Sequence, residues 1–212
     1  MTCEPRHSAF HQKVLPASTL VLVDLCKANL PKGLQRSPGS TIVQNCHQAL
    51  LVARRLGWRV AHVRSAEALG NGGNSPSISG FEPDRADAMF ERRTLSCYSS
   101  PYFQSVMQET GGSFVLAGFL GNGGALATLA DSVRLGDQVT LLLDASLDDA
   151  SRRVFTEQVV AQLSAYVALG FNLVTTFTWL RAMEAVSAIA PVCLDARKRR
   201  PSPKSAKGSL GA

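Results

Sequence analysis

The sequence predicts an α/β fold, a three-layer α/β/α domain built on a parallel sheet of about six strands. Three observations predict it. Runs such as Thr19-Leu-Val-Leu-Val-Asp24 and Gln138-Val-Thr-Leu-Leu-Leu143 are continuously apolar, the pattern of strands buried on both faces. The segments between such runs carry helical periodicity and close on glycine. The two kinds of segment alternate along the chain, which calls for crossover connections and a parallel sheet.

Taken in order, Thr19 to Asp24 is the first strand, and 31–39 reads as loop. Ser40 to Leu56 places Ile42, Val43, Cys46, Ala49, Leu50, Val52 and Ala53 at helical spacing, with Gly57 as the stop. Trp58 to Val63 is a second strand, and Gly70-Asn-Gly-Gly-Asn-Ser-Pro is loop. Ala88 to Arg92 is a short strand. Pro101 to Thr110 is helical, with proline in its first turn and Gly111-Gly112 at its end. Ser113 to Ala117 is a strand, Ala125 to Leu135 a helix, and Gln138 to Leu143 a strand. Ser151 to Leu169 reads as helix, Phe171 to Thr175 as the last strand, and Trp179 to Ala190 as a final helix.

At 212 residues and 45% hydrophobic content, one globular domain is expected, here over 18–190. An N-terminal extension over 1–17 precedes it. A basic tail over 191–212 follows, holding Arg197, Lys198, Arg199, Arg200, Lys204 and Lys207 with no acid from 197 onward. Those six cations match the net charge of +6, so the body is close to neutral. The tail's prolines, serines and glycines cannot bury enough apolar area to fold, so it is expected to stay solvated and disordered. Nucleic acid is not the expected partner, because only that tail argues for it. No apolar run approaches the length that spans a membrane, and 1–18 holds no signal-peptide core. Five scattered cysteines without a C-x-x-C pair argue against a disulfide framework and for a reducing, cytoplasmic location.

Ligands of such sheets bind at the carboxyl ends of the strands. The polar residues expected there are Asp24, Arg64, Arg92 and the Asn122-Gly123-Gly124 turn. Asp24 stands out, because an acid that closes a fully apolar strand is costly to desolvate unless paired or put to use. A helix cap or loop hydrogen bond is the alternative role. His62 lies inside a strand and reads as a satisfied core histidine. Cys26 and Cys97 read as packing cysteines. His7, His11, His47 and His62 show no ligand spacing, so neither a metal nor a cofactor is expected.

Four segments resemble the isochorismatase-like hydrolases, a group that includes nicotinamidases, N-carbamoyl amidases and isochorismatases. They are Leu20-Val-Leu-Val-Asp24-Leu, Val60-Ala-His-Val-Arg64, Arg92-Arg-Thr-Leu-Ser-Cys-Tyr98, and Gly118 to Thr128 followed by Asp131, Gly136 and Asp144-Ala145. The resemblance covers about residues 18 to 175. It implies a Rossmann-like sheet of order 3-2-1-4-5-6, a small-molecule substrate and a homo-oligomer.

In the cysteine hydrolases of that family an Asp, a Lys and a Cys act together, the thiolate attacking an amide or imide carbonyl. Carried over residue by residue, the Asp is Asp24, the Lys position falls on Arg92, and the Cys position falls on Gly124, or on Ala125 if the register slips by one. No nucleophile stands there. Arg92 is a permanent cation that can clamp a carboxylate but does not exchange protons near neutral pH. Isochorismatases resemble the family with glycine at the nucleophile position. The catalytic candidates are therefore Asp24, Arg92 and Gly124, and the substrate-binding candidates Arg64, Tyr98, Asn122 and Gly123. Two readings stay open. One is a hydrolase of a small anionic molecule that works by acid–base chemistry; the other is an inactive relative that binds a ligand or serves assembly.

Overall fold

The computed structural model of the chain describes residues 18–30, 41–66, 75–147 and 171–186. Among the described residues six strands form one sheet: β1 (Thr19–Val23), β2 (Arg59–Ser65), β3 (Ala88–Arg92), β4 (Ser113–Gly118), β5 (Gln138–Leu142) and β6 (Phe171–Val174). All neighbouring pairs are parallel and the order is β3-β2-β1-β4-β5-β6. The expected α/β class, strand count and order are all present. The order reverses between β1 and β4, so the switch point, where such sheets bind ligands, falls at their carboxyl ends.

The central strands are apolar throughout because each face meets a different helical layer. In β1, Val21 and Val23 join one core with Ala61, Val63, Phe114 and Leu116. Against that face pack α2 (Phe103–Glu109), through Phe103 and Met107, and α3 (Gly121–Leu135), through Ala125 and Leu129. Leu20 and Leu22 join the opposite core with Val60, Val115 and Ala117. There α1 (Thr41–Arg55) contributes Cys46, Ala49, Leu50 and Ala53, with Trp179 and Met183 beside it. The helical spacing of about 3.6 residues is the one the sequence displays, and the unbroken apolar runs of the strands reflect burial on both faces.

Three helix starts differ from the sequence reading by two residues or more, and β2 runs to Ser65, two residues past the expected Val63. First, α3 begins at Gly121, four residues before the expected Ala125, so Asn122, Gly123 and Gly124 are helical. The chain reverses instead at Gly118, which has φ 117°, and a Cβ there would overlap the Val23 carbonyl. Only glycine lets the end of β4 press this closely on β1. Second, α2 starts at Phe103, and Pro101 lies in the turn before it. Third, the last helix starts at 176 rather than Trp179. Asp144 Oδ1 accepts both the Thr176 N–H and its hydroxyl at 2.7 Å, and Thr175 Oγ1 accepts the Thr178 N–H at 3.2 Å, which caps the helix early. The expected helix over 151–169, the loops over 31–39 and 70–74, the N-terminal extension and the tail lie outside the described residues. No helix among the described residues is long and apolar enough to cross a membrane.

Candidate active site

Asp24 follows β1 at the switch point, and the surrounding main chain fixes it on every side. Its N–H donates to the Val63 carbonyl at 2.9 Å, continuing the β1–β2 ladder. Its own carbonyl accepts the Cys26 N–H at 2.8 Å and the Asn29 side-chain amide at 3.3 Å. It is the single non-glycine residue with positive φ among the described residues, at 53°. Aspartate tolerates that left-handed geometry better than most residues, and these bonds hold it there. The strand direction ends abruptly, and the carboxylate is left buried, at 3% exposure.

Both carboxylate oxygens have donors. Oδ1 accepts the Ser65 N–H at 2.7 Å from the end of β2. Oδ2 accepts Arg92 Nη2 at 2.6 Å from the end of β3. Arg92 is itself 7% exposed, and its Nη1 donates to the carbonyls of Leu95, at 2.5 Å, and Thr94, at 3.3 Å. A buried ion pair of this kind survives desolvation because further hydrogen bonds reach both ions. One donor is left over: Arg92 Nε is buried without a partner. A buried N–H without an acceptor is costly, so it marks a place where a ligand or water oxygen would be favoured.

Gly124 lies against the same guanidinium. A Cβ at position 124 would stand 3.6 Å from Arg92 Nη1, 3.3 Å from the Leu95 carbonyl and 3.5 Å from Leu120 Cβ. Asp24, Arg92 and Gly124 therefore converge, although 100 residues separate the first from the last. Gly123 is next to it, under Leu95 Cδ1, and Asn122 is in the same helical turn. The N-cap residue Leu120 makes no side-chain capping bond, so the first-turn N–H groups keep the helix's partial positive charge.

The other candidates are placed differently. Arg64 donates from Nη2 to Ser77 Oγ at 2.7 Å, and Ser77 is bridged to Cys26. It flanks the loop after β1 and its bond goes to Ser77 rather than to Asp24. Tyr98 leaves the site altogether. Its ring packs on Phe103 and Phe114, and its hydroxyl donates to Asp137 Oδ2 at 2.7 Å, next to the amino end of β5. Burial and then Asp137 push that hydroxyl well above its ordinary range. The expectation that Tyr98 contacts a ligand beside Asp24 does not match this geometry, because the aromatic ring is drawn into the core.

The three cysteines among the described residues are packed. Cys26 is 1% exposed and Cys97 0%. Burial pushes the Cys97 thiol up to about 12, while Thr128 and Arg92 oppose the shift. Burial likewise drives the Cys46 thiol far up. His62 Nε2–H donates to the Asp87 carboxylate at 3.2 Å on the sheet's α1 face, a satisfied core histidine. Among the described residues no group of three or more His, Cys, Asp or Glu is placed to hold a metal ion. The sequence did not point to the carbonyls of Leu95 and Thr94 or the N–H of Ser65. These are main-chain groups, so no residue type announces them.

Residues 18–169 match the isochorismatase domain. The chain belongs to the isochorismatase family. Among solved structures it is similar to an isochorismatase from Pseudomonas putida KT2440, with TM-score 0.61 and 20% identity over 76% of this chain and 90% of that one. It is also similar to a cysteine hydrolase from Pseudomonas syringae pv. phaseolicola 1448A, with TM-score 0.63 and 18% identity over 81% and 95%. An N-carbamoylsarcosine amidase from Thermoplasma acidophilum gives TM-score 0.58 and 18% identity over 74% and 95%. At such identities these structures share the fold with this chain. No curated protein matches it.

Proposed function

We propose that this isochorismatase-family chain is a hydrolase of a small anionic molecule that works by acid–base chemistry, without a cysteine nucleophile. The observation that carries the reading is the Asp24 carboxylate, buried at the switch point with one N–H donor on each oxygen. Held this way, the carboxylate keeps further lone pairs with which to take a proton from water. The hydroxide equivalent adds to the substrate, and the first-turn N–H groups of α3 with the Arg92 charge stabilise the oxygen that gains negative charge. Gly124 leaves that turn without a nucleophile, so no covalent intermediate forms there. The Arg92 charge beside that turn favours a substrate that is itself anionic.

One observation favours a second reading, an inactive relative that binds a ligand or serves assembly. Arg92 already spends its Nη groups on Asp24, Leu95 and Thr94, so it is less free to clamp a carboxylate than its sequence position suggests.

The test is turnover on a panel of small amides, imides and enol ethers bearing a carboxylate. Asp24→Asn is expected to cost ~10²–10⁴-fold in kcat on any substrate found. Full activity in that variant would remove Asp24 from the mechanism. An inert parent that still binds panel members would favour the second reading.

A further inference from the structure

Two glycines in one helical turn, Gly123 and Gly124, are crowded by the same residue in different ways. At 123 an added Cβ meets the tip of a flexible side chain, Leu95 Cδ1, at 3.2 Å. At 124 it meets the Leu95 main-chain carbonyl at 3.3 Å, closer than a Cβ ordinarily comes, and then Arg92 Nη1 at 3.6 Å. That carbonyl cannot step aside cheaply. It accepts Arg92 Nη1 at 2.5 Å, and its loop is tied down around it. Ser99 Oγ accepts the N–H groups of Arg93 and Thr94, both at 3.0 Å, and donates to the Ser96 carbonyl at 2.7 Å. The Cys97 N–H donates to Thr128 Oγ1 at 3.2 Å, fastening the loop to α3.

We propose that Gly124 and the Leu95 carbonyl are the positioning elements for Arg92: together they form the slot that seats its guanidinium on Asp24, and a side chain at 124 unseats it. The glycine is then more than a missing nucleophile. It is the residue that an arginine at 92 requires, because a planar guanidinium with fixed donor directions needs both its carbonyl partners and the room beside them. A lysine at 92 would place a point charge on a flexible stem, without the fork between Leu95 and Asp24. The loop carbonyl could then give way to a side chain at 124. Positions 92 and 124 are coupled on this account, and positions 92 and 123 are not.

The test compares the full chain with Gly123→Ala, Gly124→Ala, Arg92→Lys and the Arg92→Lys/Gly124→Ala pair. Thermal midpoints are measured, with the Arg92 Nε–H resonance followed by NMR. Gly123→Ala is expected to stay within ~2 °C of the parent and leave that resonance in place. Gly124→Ala is expected to lower the midpoint by ~5 °C or more and to shift or broaden the resonance. In the Arg92→Lys background the same alanine is expected to cost less than ~2 °C, a rescue that a purely local packing fault would not give. An equal cost in both backgrounds, or an unmoved Arg92 signal in Gly124→Ala, overturns the proposal. Should Gly124→Ala fail to fold, the double variant decides: a midpoint matching Arg92→Lys supports it, and an unfolded double variant refutes it. No substrate enters the measurement, so its outcome is separate from that of the hydrolase reading.

Discussion

At the scale of single residues, Asp24 and Arg92 define the site by mutual neutralisation. Each is almost wholly buried, and each has main-chain partners in addition to the other. Cys97 lies near enough to feel both charges, Arg92 favouring its thiolate and Asp24 opposing it, and yet burial dominates and holds the thiol near 12. At neutral pH almost none of it is thiolate, and thiolate is the nucleophilic form. The folded chain is therefore expected to leave Cys97 and Cys46 unmodified by iodoacetamide at pH 7.5, and to label both after denaturation. Peptide mass spectrometry checks this. Rapid labelling of Cys97 in the folded protein would mean a reactive thiol beside Asp24, and would reopen a cysteine mechanism by a different route.

At the scale of elements, α1, β2 and the start of β3 are joined by a charged cluster remote from the turn at Gly124. Arg54 near the end of α1 holds Asp87 with two bonds, at 2.6 and 2.5 Å, and reaches Asp84 at 3.1 Å. His62 in β2 touches Asp87, and the Asp84 N–H donates to the same carboxylate at 2.9 Å. Burial holds the His62 imidazole below its ordinary value, with Asp87 opposing and the Arg54 and Arg64 charges reinforcing the shift. Burial pushes the Asp87 carboxyl up, but Arg54, the Asp84 N–H and His62 outweigh it, and the net direction is down. Both groups have depressed folded-state values, so in acid the unfolded chain binds more protons than the folded one. The histidine's contribution is complete above about 6.5, its unfolded value, and falls as pH drops toward its folded value. The aspartate's contribution is lost only below about 4. Urea midpoints measured from pH 8 to 5 are expected to fall below about pH 6.5, and His62→Gln is expected to flatten that slope. A parent midpoint independent of pH across this window would show that His62 titrates alike in both states.

At the scale of the whole molecule, the parallel sheet brings the ends of β1, β2, β3 and β4 to one edge, so groups from four elements meet in one site. The family resemblance also leads us to expect a homo-oligomer, and light scattering should return a mass of at least twice 22.6 kDa. A monomer mass across a range of concentrations would set that expectation aside. Much of the architecture was legible in the sequence. Continuous apolar strands, helical stripes and glycine stops are local signals, and those that fall within the described residues correspond to observed elements. Asp24 was legible for a related reason, because a carboxylate at the end of such a strand needs a partner. The start of α3 was not, since Gly121-Asn-Gly-Gly reads as a turn by propensity. The helix begins there because the close approach at Gly118 spends the reversal earlier, and tertiary contact overrides glycine's poor helix propensity. Tyr98 was misplaced for the opposite reason: its position in the chain is beside the site, but two aromatic contacts and Asp137 turn it inward.

The sequence by itself determined the fold class, the strand order through its family resemblance, and the residue types at positions 24, 92 and 124. The fold class follows from periodicity, and positions 24 and 92 stand out because they close strands. Only the tertiary structure decided that Arg92 is locked to Asp24 and not left open as a clamp, and that Gly124 is the space beside that lock. Hydrogen-bond geometry involving the Leu95 carbonyl and the Ser65 N–H settles both points. Every residue type but proline carries those two main-chain groups, so their roles depend on where the fold places them and not on their residue names.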